Sequence, residues 1–121
     1  MIRLDAARLA PVMREALAAR DVDPTAIDHV VDSLVQTSLR GVDSHGINLF
    51  PHYCRVVESG RVNRRPSPTM TNTAAATAIL DADHAFGHHV GALAIDHAVA
   101  LAHDTGAVSY THLTLPTILR V

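Results

Sequence analysis

The chain has 121 residues, a length that predicts one domain with enough apolar side chains to bury a core. Because 48% of the residues are hydrophobic and 18% are charged, the composition is globular and excludes a disordered chain. The net charge of −2 does not predict a basic surface for nucleic acid. The sequence has no apolar run that predicts a membrane span and no leader that predicts export. We therefore expect a soluble cytoplasmic protein.

The first predicted helix follows Asp5, a suitable N-cap, and runs to about Arg20 with apolar residues at helical spacing. Pro11 lies within this span. The helix therefore either bends at the proline or begins near Ala10 with the proline in its first turn.

The second predicted helix has clear signals at both ends. Asp23 as N-cap followed by Pro24 marks its start, and Gly41 marks its end. One face carries Ala26, Ile27, Val30, Val31, Leu34, Val35 and Ser38.

The third predicted helix runs from about Asn48 to Ser59 and is closed by Gly60, with Pro51 tolerated in its first turn. Its apolar face carries Phe50, Tyr53, Cys54 and Val57. Cys54 is the only cysteine, which excludes an internal disulfide and a thiolate zinc site and favours a buried packing role.

Residues 61–68 are rich in Arg, Asn, Pro and Ser, which predicts a crossing loop and a domain boundary near residue 65. The loop contains Arg61, Arg64 and Arg65, which suit either a phosphate contact or an ordinary solvated loop. All ten basic residues of the chain are arginine, so Schiff-base and P-loop chemistry are excluded.

Two short strands are predicted next, Thr69–Thr73 and Ala76–Asp81, with a turn near Ala74–Ala75. A loop and an alanine-rich helix over His88–Thr105 follow, ended by Gly106, and residues 107–108 suit the start of a strand. The fold class is therefore a helical N-terminal domain over residues 1–65, followed over residues 66–108 by the opening strands and helix of an α/β domain.

The segment between the second and third predicted helices contains several charged and polar side chains and two glycines. It contains Arg40, Gly41, Asp43, Ser44, His45 and Gly46. His45 suits a group that donates and recovers a proton, and Asp43 is close enough in sequence to orient its ring and favour the charged form. On spacing alone, a polar interhelical turn with Ser44 or Asp43 as N-cap remains open. Arg40 suits either a carboxylate anchor or a charge that offsets the helix dipole.

The run Arg40–Gly46, followed by Tyr53 and Gly60, resembles the signature of the malate/L-lactate dehydrogenase family, a non-Rossmann group of NAD(P)-dependent 2-oxoacid and imino-acid reductases. The resemblance continues through Ala78–Asp83, Phe86–His88 and Ala102–Val108. It covers Leu4 to about Val108, which corresponds only to the N-terminal part of the family's length.

The resemblance implies an oxidoreductase that uses NAD or NADP, acts on a 2-oxoacid or related substrate and forms a homodimer. It implies that His45 is the catalytic proton donor and acceptor, with Ser44, Asp43 and Arg40 in supporting roles. Several family members carry an arginine four residues after this histidine, suited to gripping a carboxylate, whereas this chain has Leu49 there. The substrate therefore stays open.

Nine histidines invite a metal-site interpretation, but the predicted fourth helix has no pair at the i, i+4 spacing of helical ligands. We expect no metal site and mostly solvated or core histidines. His88 and His89 are candidates to lie beside the cofactor, because they start a helix whose N-terminus favours phosphate.

Residues 109–121 contain no acid and are dominated by Thr and Leu. The run from Val108 to Thr117 resembles translated sequencing-adapter read-through, which predicts a truncated gene with a non-native tail and an inactive product. A real terminal strand is the alternative. Two other functions stay open: a small non-enzymatic binding module, and a histidine-rich metal binder.

Overall fold

The computed structural model describes residues 3–106, so the predicted strand at residues 107–108 and the tail at 109–121 lie outside the described residues. The elements are α1 (Ala6–Ala18), α2 (Pro24–Leu39), α3 (Phe50–Glu58), β1 (Thr69–Ala74), β2 (Thr77–Asp81) and α4 (Gly87–Thr105), with two 3₁₀ turns, Asp43–His45 and Ile47–Leu49, before α3. The predicted fold class is confirmed, since a helical N-terminal region is followed by two strands and a helix.

Aspartate side chains begin the first two helices, as their positions in the sequence predict. The Asp5 carboxylate accepts from the Ala7 backbone N–H at 2.9 Å, and the Asp23 carboxylate accepts from the Thr25 N–H at 2.9 Å. Because α1 already begins at Ala6, the alternative start near Ala10 is wrong. Pro11 is tolerated inside α1 because it lies on the exposed side, where water can solvate the carbonyl that loses its donor.

The core forms where α1, α2 and α3 meet. Its largest fully buried side chains are Leu17, Val30, Val31, Leu34 and Val57. Six of the seven residues predicted for the apolar face of α2 are buried, and the seventh, Ser38, is half-buried at the end of the same stripe. Burial of this stripe makes α2 the central helix of the N-terminal region.

Strands β1 and β2 form an antiparallel hairpin that pairs Thr69 with Asp81 and Thr71 with Ile79. The turn lies at residues 75–76, one residue later than predicted, because Ala74 still pairs with Thr77. Alanine has no turn preference, so the local sequence does not specify where the chain reverses.

Helix α4 begins at Gly87, one residue before the predicted start, and ends at Gly106 in the left-handed conformation with φ +81°. It contacts the hairpin through His97, whose Nε2 lies 2.8 Å from Asn72 Oδ1. None of the helices within residues 3–106 combines the length and hydrophobicity needed to cross a bilayer.

The second half of the chain is attached to the helical core by Phe86, which is 3% exposed and belongs to the same buried cluster as α1–α3. The Tyr53 ring on α3 meets the Phe86 ring edge-on, with ring centroids 5.8 Å apart. The Asn63 N–H also donates to the His84 carbonyl at 2.9 Å. The domain division near residue 65 stays a prediction.

Candidate active site

The segment that carries His45 is a pair of short 3₁₀ turns between α2 and α3. Gly41 leaves α2 with φ +83°, a left-handed conformation that a side chain would strain. The His45 N–H then donates to the Val42 carbonyl at 3.1 Å, and the Gly46 N–H donates to the Asp43 carbonyl at 3.2 Å. The N-cap residues of the two turns are Val42 and Gly46, which provide no capping side chain, and no residue of the Asp43–His45 turn is buried.

Gly46 lies directly against the last turn of α2. A Cβ atom placed on Gly46 would lie 2.1 Å from the Ser38 Oγ, 2.9 Å from the Ser38 backbone nitrogen and 3.1 Å from the Leu34 carbonyl oxygen. Only glycine fits such a close approach without displacing the neighbouring backbone. The structure therefore gives a packing reason for glycine at residue 46.

The imidazole of His45 is exposed, and its Nδ1 lies 3.0 Å from the Ser44 Oγ. This contact orients the ring in either protonation pattern: the hydroxyl donates to Nδ1 when the proton of the neutral ring is on Nε2, and it accepts when Nδ1 carries a proton. No hydrogen bond within residues 3–106 joins the Asp43 carboxylate to the ring. The side chain that contacts His45 is therefore Ser44, and not the aspartate favoured by the sequence argument.

Arg40 is the exposed C-cap residue of α2. As the C-cap residue, Arg40 places its charge beside the carbonyl end of the α2 dipole. Its guanidinium makes no hydrogen bond or ion pair with the described part of the chain, so it remains available to a ligand. Leu49, at the position where several family members carry arginine, is half-buried against the core. Because residue 49 is leucine, the arginine nearest to His45 in sequence is Arg40.

The two adjacent histidines at the start of α4 have different environments. His89 is 7% exposed, and its Nδ1 lies 3.0 Å from the Nδ1 of His29 on α2. His88 packs edge-on against the Tyr53 ring at 5.2 Å between ring centroids, and its buried Nδ1 has no hydrogen-bond partner. Among the described residues, no hydrogen bond or ring contact links either histidine to the His45 turn.

Burial lowers the pKa of both histidines, and the neighbouring His29 lowers that of His89 further, against a smaller opposing effect of Asp23. The contact between His29 and His89 requires that at least one ring accepts a hydrogen bond and is therefore neutral. The pair is thus a polar contact that joins α2 to α4, and the linear sequence does not reveal it.

We expect the stability of the chain to fall as the pH is lowered below about 6.5, the ordinary pKa of histidine. Because the pKa of His89 is below the ordinary 6.5, the unfolded chain takes up the proton first, and stability is lost below about 6.5 until the folded pKa is passed. Loss of one hydrogen bond costs about 1 kcal/mol, equivalent to a drop in Tm of roughly 4–8 °C. Thermal unfolding followed by circular dichroism measures this drop.

The matched variants for this pH test are His89→Gln and His103→Gln. The first removes a buried imidazole that titrates, and the second removes an exposed one near the end of α4. We expect His89→Gln to reduce the dependence of Tm on pH, leaving the part contributed by His88, and His103→Gln to leave it unchanged. Equal slopes for the two variants would contradict the assignment.

The arginine loop is tied back to the helical region rather than open to a phosphate along its whole length. The Arg65 guanidinium contacts both oxygens of Asp21, which lowers the pKa of that carboxyl group. The Arg64 guanidinium donates to the Val57 carbonyl at 3.3 Å. Together with Arg61 and His84, these side chains border an open cavity of about 700 Å³.

The remaining candidate metal ligands in the described part of the chain do not lie close enough together to form a site. Within residues 3–106, no three His, Cys, Asp or Glu side chains are arranged to hold a metal ion. Cys54 is buried on α3, and this burial raises the pKa of its thiol, so the group stays protonated and packs as a small apolar side chain. Sequence reasoning missed one residue of the site, Ser38, although its place at the end of the buried stripe of α2 was the available signal.

Comparisons with known proteins agree on one group. A family model described as malate/L-lactate dehydrogenase matches residues 4–112, four residues into the segment predicted to be non-native. L-Sulfolactate dehydrogenase from Methanothermobacter thermautotrophicus is 32% identical over 95 residues, which cover 78% of this chain and 28% of that enzyme. 2,3-Diketo-L-gulonate reductase from Shigella boydii is 29% identical over 99 residues, covering 82% and 30%.

A solved structure shows the same fold. Malate dehydrogenase from Pyrococcus horikoshii OT3 superposes with a TM-score of 0.82 at 32% identity, over 87% of this chain and 30% of that one. The chain therefore spans less than a third of the length of each of these relatives.

Proposed function

The chain belongs to the malate/L-lactate dehydrogenase family, and we propose that the whole protein is an NAD(P)-dependent oxidoreductase that reduces a 2-oxoacid or a related carbonyl or imine. The observation that carries this proposal is His45, an exposed imidazole on a turn held against α2 and oriented by Ser44. An exposed and oriented imidazole is suited to transfer a proton to or from a bound substrate.

His45 acts in the proposed reaction as the proton donor during reduction and as the acceptor during oxidation. A reduced nicotinamide supplies the hydride when it is bound. Charge develops on the substrate oxygen or nitrogen, and the His45 ring protonates that atom. In this cycle the Ser44 hydroxyl accepts from the Nδ1–H of His45, so the imidazolium donates its proton from Nε2 and the neutral ring accepts a proton at Nε2. We also propose Asp43 as a supporting residue through its negative charge, and Arg40 through its free guanidinium.

The start of α4 is the proposed contribution of this chain to cofactor binding. The N-cap residue of α4, Phe86, provides no capping side chain, so the N–H groups of Gly87 and His88 suit an anion, whereas that of His89 already donates to the Phe86 carbonyl. His88 and His89 lie in this first turn, and the buried Nδ1 of His88 has no hydrogen-bond partner among the described residues, so it could still accept or donate one. These features fit the phosphates of a dinucleotide, with His88 the more available of the two because His89 already contacts His29.

The substrate class follows from what the relatives have in common. The matched proteins are named for sulfolactate, malate and a diketo sugar acid, all of them acids with a hydroxyl or carbonyl group. Leu49 provides no charge for a carboxylate. We therefore propose a small 2-oxoacid or 2-hydroxyacid substrate whose carboxylate is bound by groups other than residue 49, in a cytoplasmic homodimer of the whole protein.

The experiment is an assay of the whole protein for oxidation of NADH and of NADPH in the presence of oxaloacetate, sulfopyruvate and 2,3-diketogulonate. We expect substrate-dependent loss of nicotinamide absorbance with at least one cofactor and one acid, and none with the 121-residue chain, which spans under a third of its relatives. Absence of turnover for every combination would reject the proposed reaction class for these substrates.

A further inference from the structure

Ser38 uses its hydroxyl in an unusual way for a residue in the last turn of a helix. Helical hydroxyls commonly donate to the carbonyl four residues earlier, as Thr37 does to Ser33 at 2.7 Å. The Ser38 Oγ instead accepts from the backbone N–H of Ile47 at 2.9 Å, nine residues further along the chain. The hydroxyl therefore links α2 to the segment immediately after the 3₁₀ turn of His45.

The same serine also occupies the space beside Gly46. Its Oγ lies where a side chain at residue 46 would be, and the Leu34 carbonyl oxygen lies 3.1 Å from the same position. Leu34 is fully buried, so this part of α2 is a rigid support. The peptide that joins Gly46 to Ile47 is thus held by close packing and by one hydrogen bond.

On the side that precedes the His45 turn, the chain is held to α2 by backbone, since the Val42 N–H donates to the Thr37 carbonyl at 3.1 Å. The turn itself has three residues, no capping side chain and no buried side chain. Among the described residues, Ser38 is the α2 residue whose side chain is hydrogen-bonded to this segment, on the side that follows His45.

Building on the proposed role of His45, we propose that Ser38 is a positioning residue for the reaction. By accepting from the Ile47 N–H, it fixes the Gly46–Ile47 peptide and hence the direction in which the His45 ring leaves the backbone. Its action is through His45, and it does not touch the substrate.

The first test compares Ser38→Ala with Thr37→Ala in the 121-residue chain by NMR. Both variants remove one hydroxyl from the last turns of α2, and alanine favours helix, so both should fold. We expect Ser38→Ala to reduce hydrogen-exchange protection of the Ile47 amide roughly fivefold and to shift the ring resonances of His45. Thr37→Ala should change neither, and Ser38→Thr, which keeps the hydroxyl, should restore both signals.

The second test measures kcat and KM of the same variants in the whole protein. A positioning role predicts a lower kcat with little change in KM for Ser38→Ala, and recovery in Ser38→Thr. Unchanged Ile47 protection and His45 resonances in Ser38→Ala, or an equal response to Thr37→Ala, would overturn the proposal. A wild-type protein without oxidoreductase activity, but with the expected NMR changes, would overturn the proposed function and leave Ser38 as the residue that orients His45.

Discussion

Replacing Gly46 with alanine is expected to destabilise the chain by about 1–3 kcal/mol, the usual cost of overpacking, and to displace the His45 turn from α2. The new Cβ would lie 2.1 Å from the Ser38 Oγ, which can rotate away only by giving up its bond to the Ile47 N–H. It would also lie 2.9 Å from the Ser38 backbone nitrogen, which can move away only by disturbing the last turn of α2 and the core side chains packed beside it. Denaturant unfolding measures the loss of stability.

The matched control for this substitution is Gly87→Ala. Gly87 is the first residue of α4, has nothing within 4 Å of a built Cβ and does not adopt a left-handed conformation. We expect no loss of stability there, and a gain of up to about 1 kcal/mol, since alanine restricts the unfolded chain more than glycine does. Equal responses at the two positions would show that close packing against Ser38 is not what requires glycine at residue 46.

Replacing His45 with glutamine is expected to lower kcat of the whole protein by about 10²–10⁴-fold, the usual contribution of a positioned acid–base group. Glutamine retains a polar side chain of similar length but cannot exchange a proton near neutral pH. Binding of the nicotinamide cofactor, followed by fluorescence titration, should be little changed because the ring acts on the substrate. Steady-state kinetics over a range of pH measure the loss of activity and of its pH dependence.

His103→Gln is the control for this experiment, since His103 is an exposed histidine near the C-terminus of α4. It should retain the wild-type kcat. A His45→Gln enzyme that keeps its rate within a few-fold of wild type would contradict the catalytic assignment, and an equal loss in both variants would indicate a nonspecific effect of removing a histidine.

Much of the secondary structure followed from short-range signals. Asp5 and Asp23 cap helices in the structure as their local sequence predicts, and Gly41, Gly60 and Gly106 all have positive φ where helices end. These features involve residues within a turn of one another, so the sequence contains the whole interaction. The hairpin turn was misplaced by one residue because an alanine-rich segment contains no such signal.

The sequence by itself therefore determined the helices, the apolar face of α2 and the family signature around His45, since each depends on neighbouring residues or on a contiguous motif. Only the tertiary structure decided which groups meet across the chain. His29 and His89 are 60 positions apart, Asp21 and Arg65 are 44 apart, and Ser38 reaches Ile47 beyond the end of its own helix. Such contacts depend on how α2, α4 and the loops pack in three dimensions, and no local preference of a single residue specifies that arrangement.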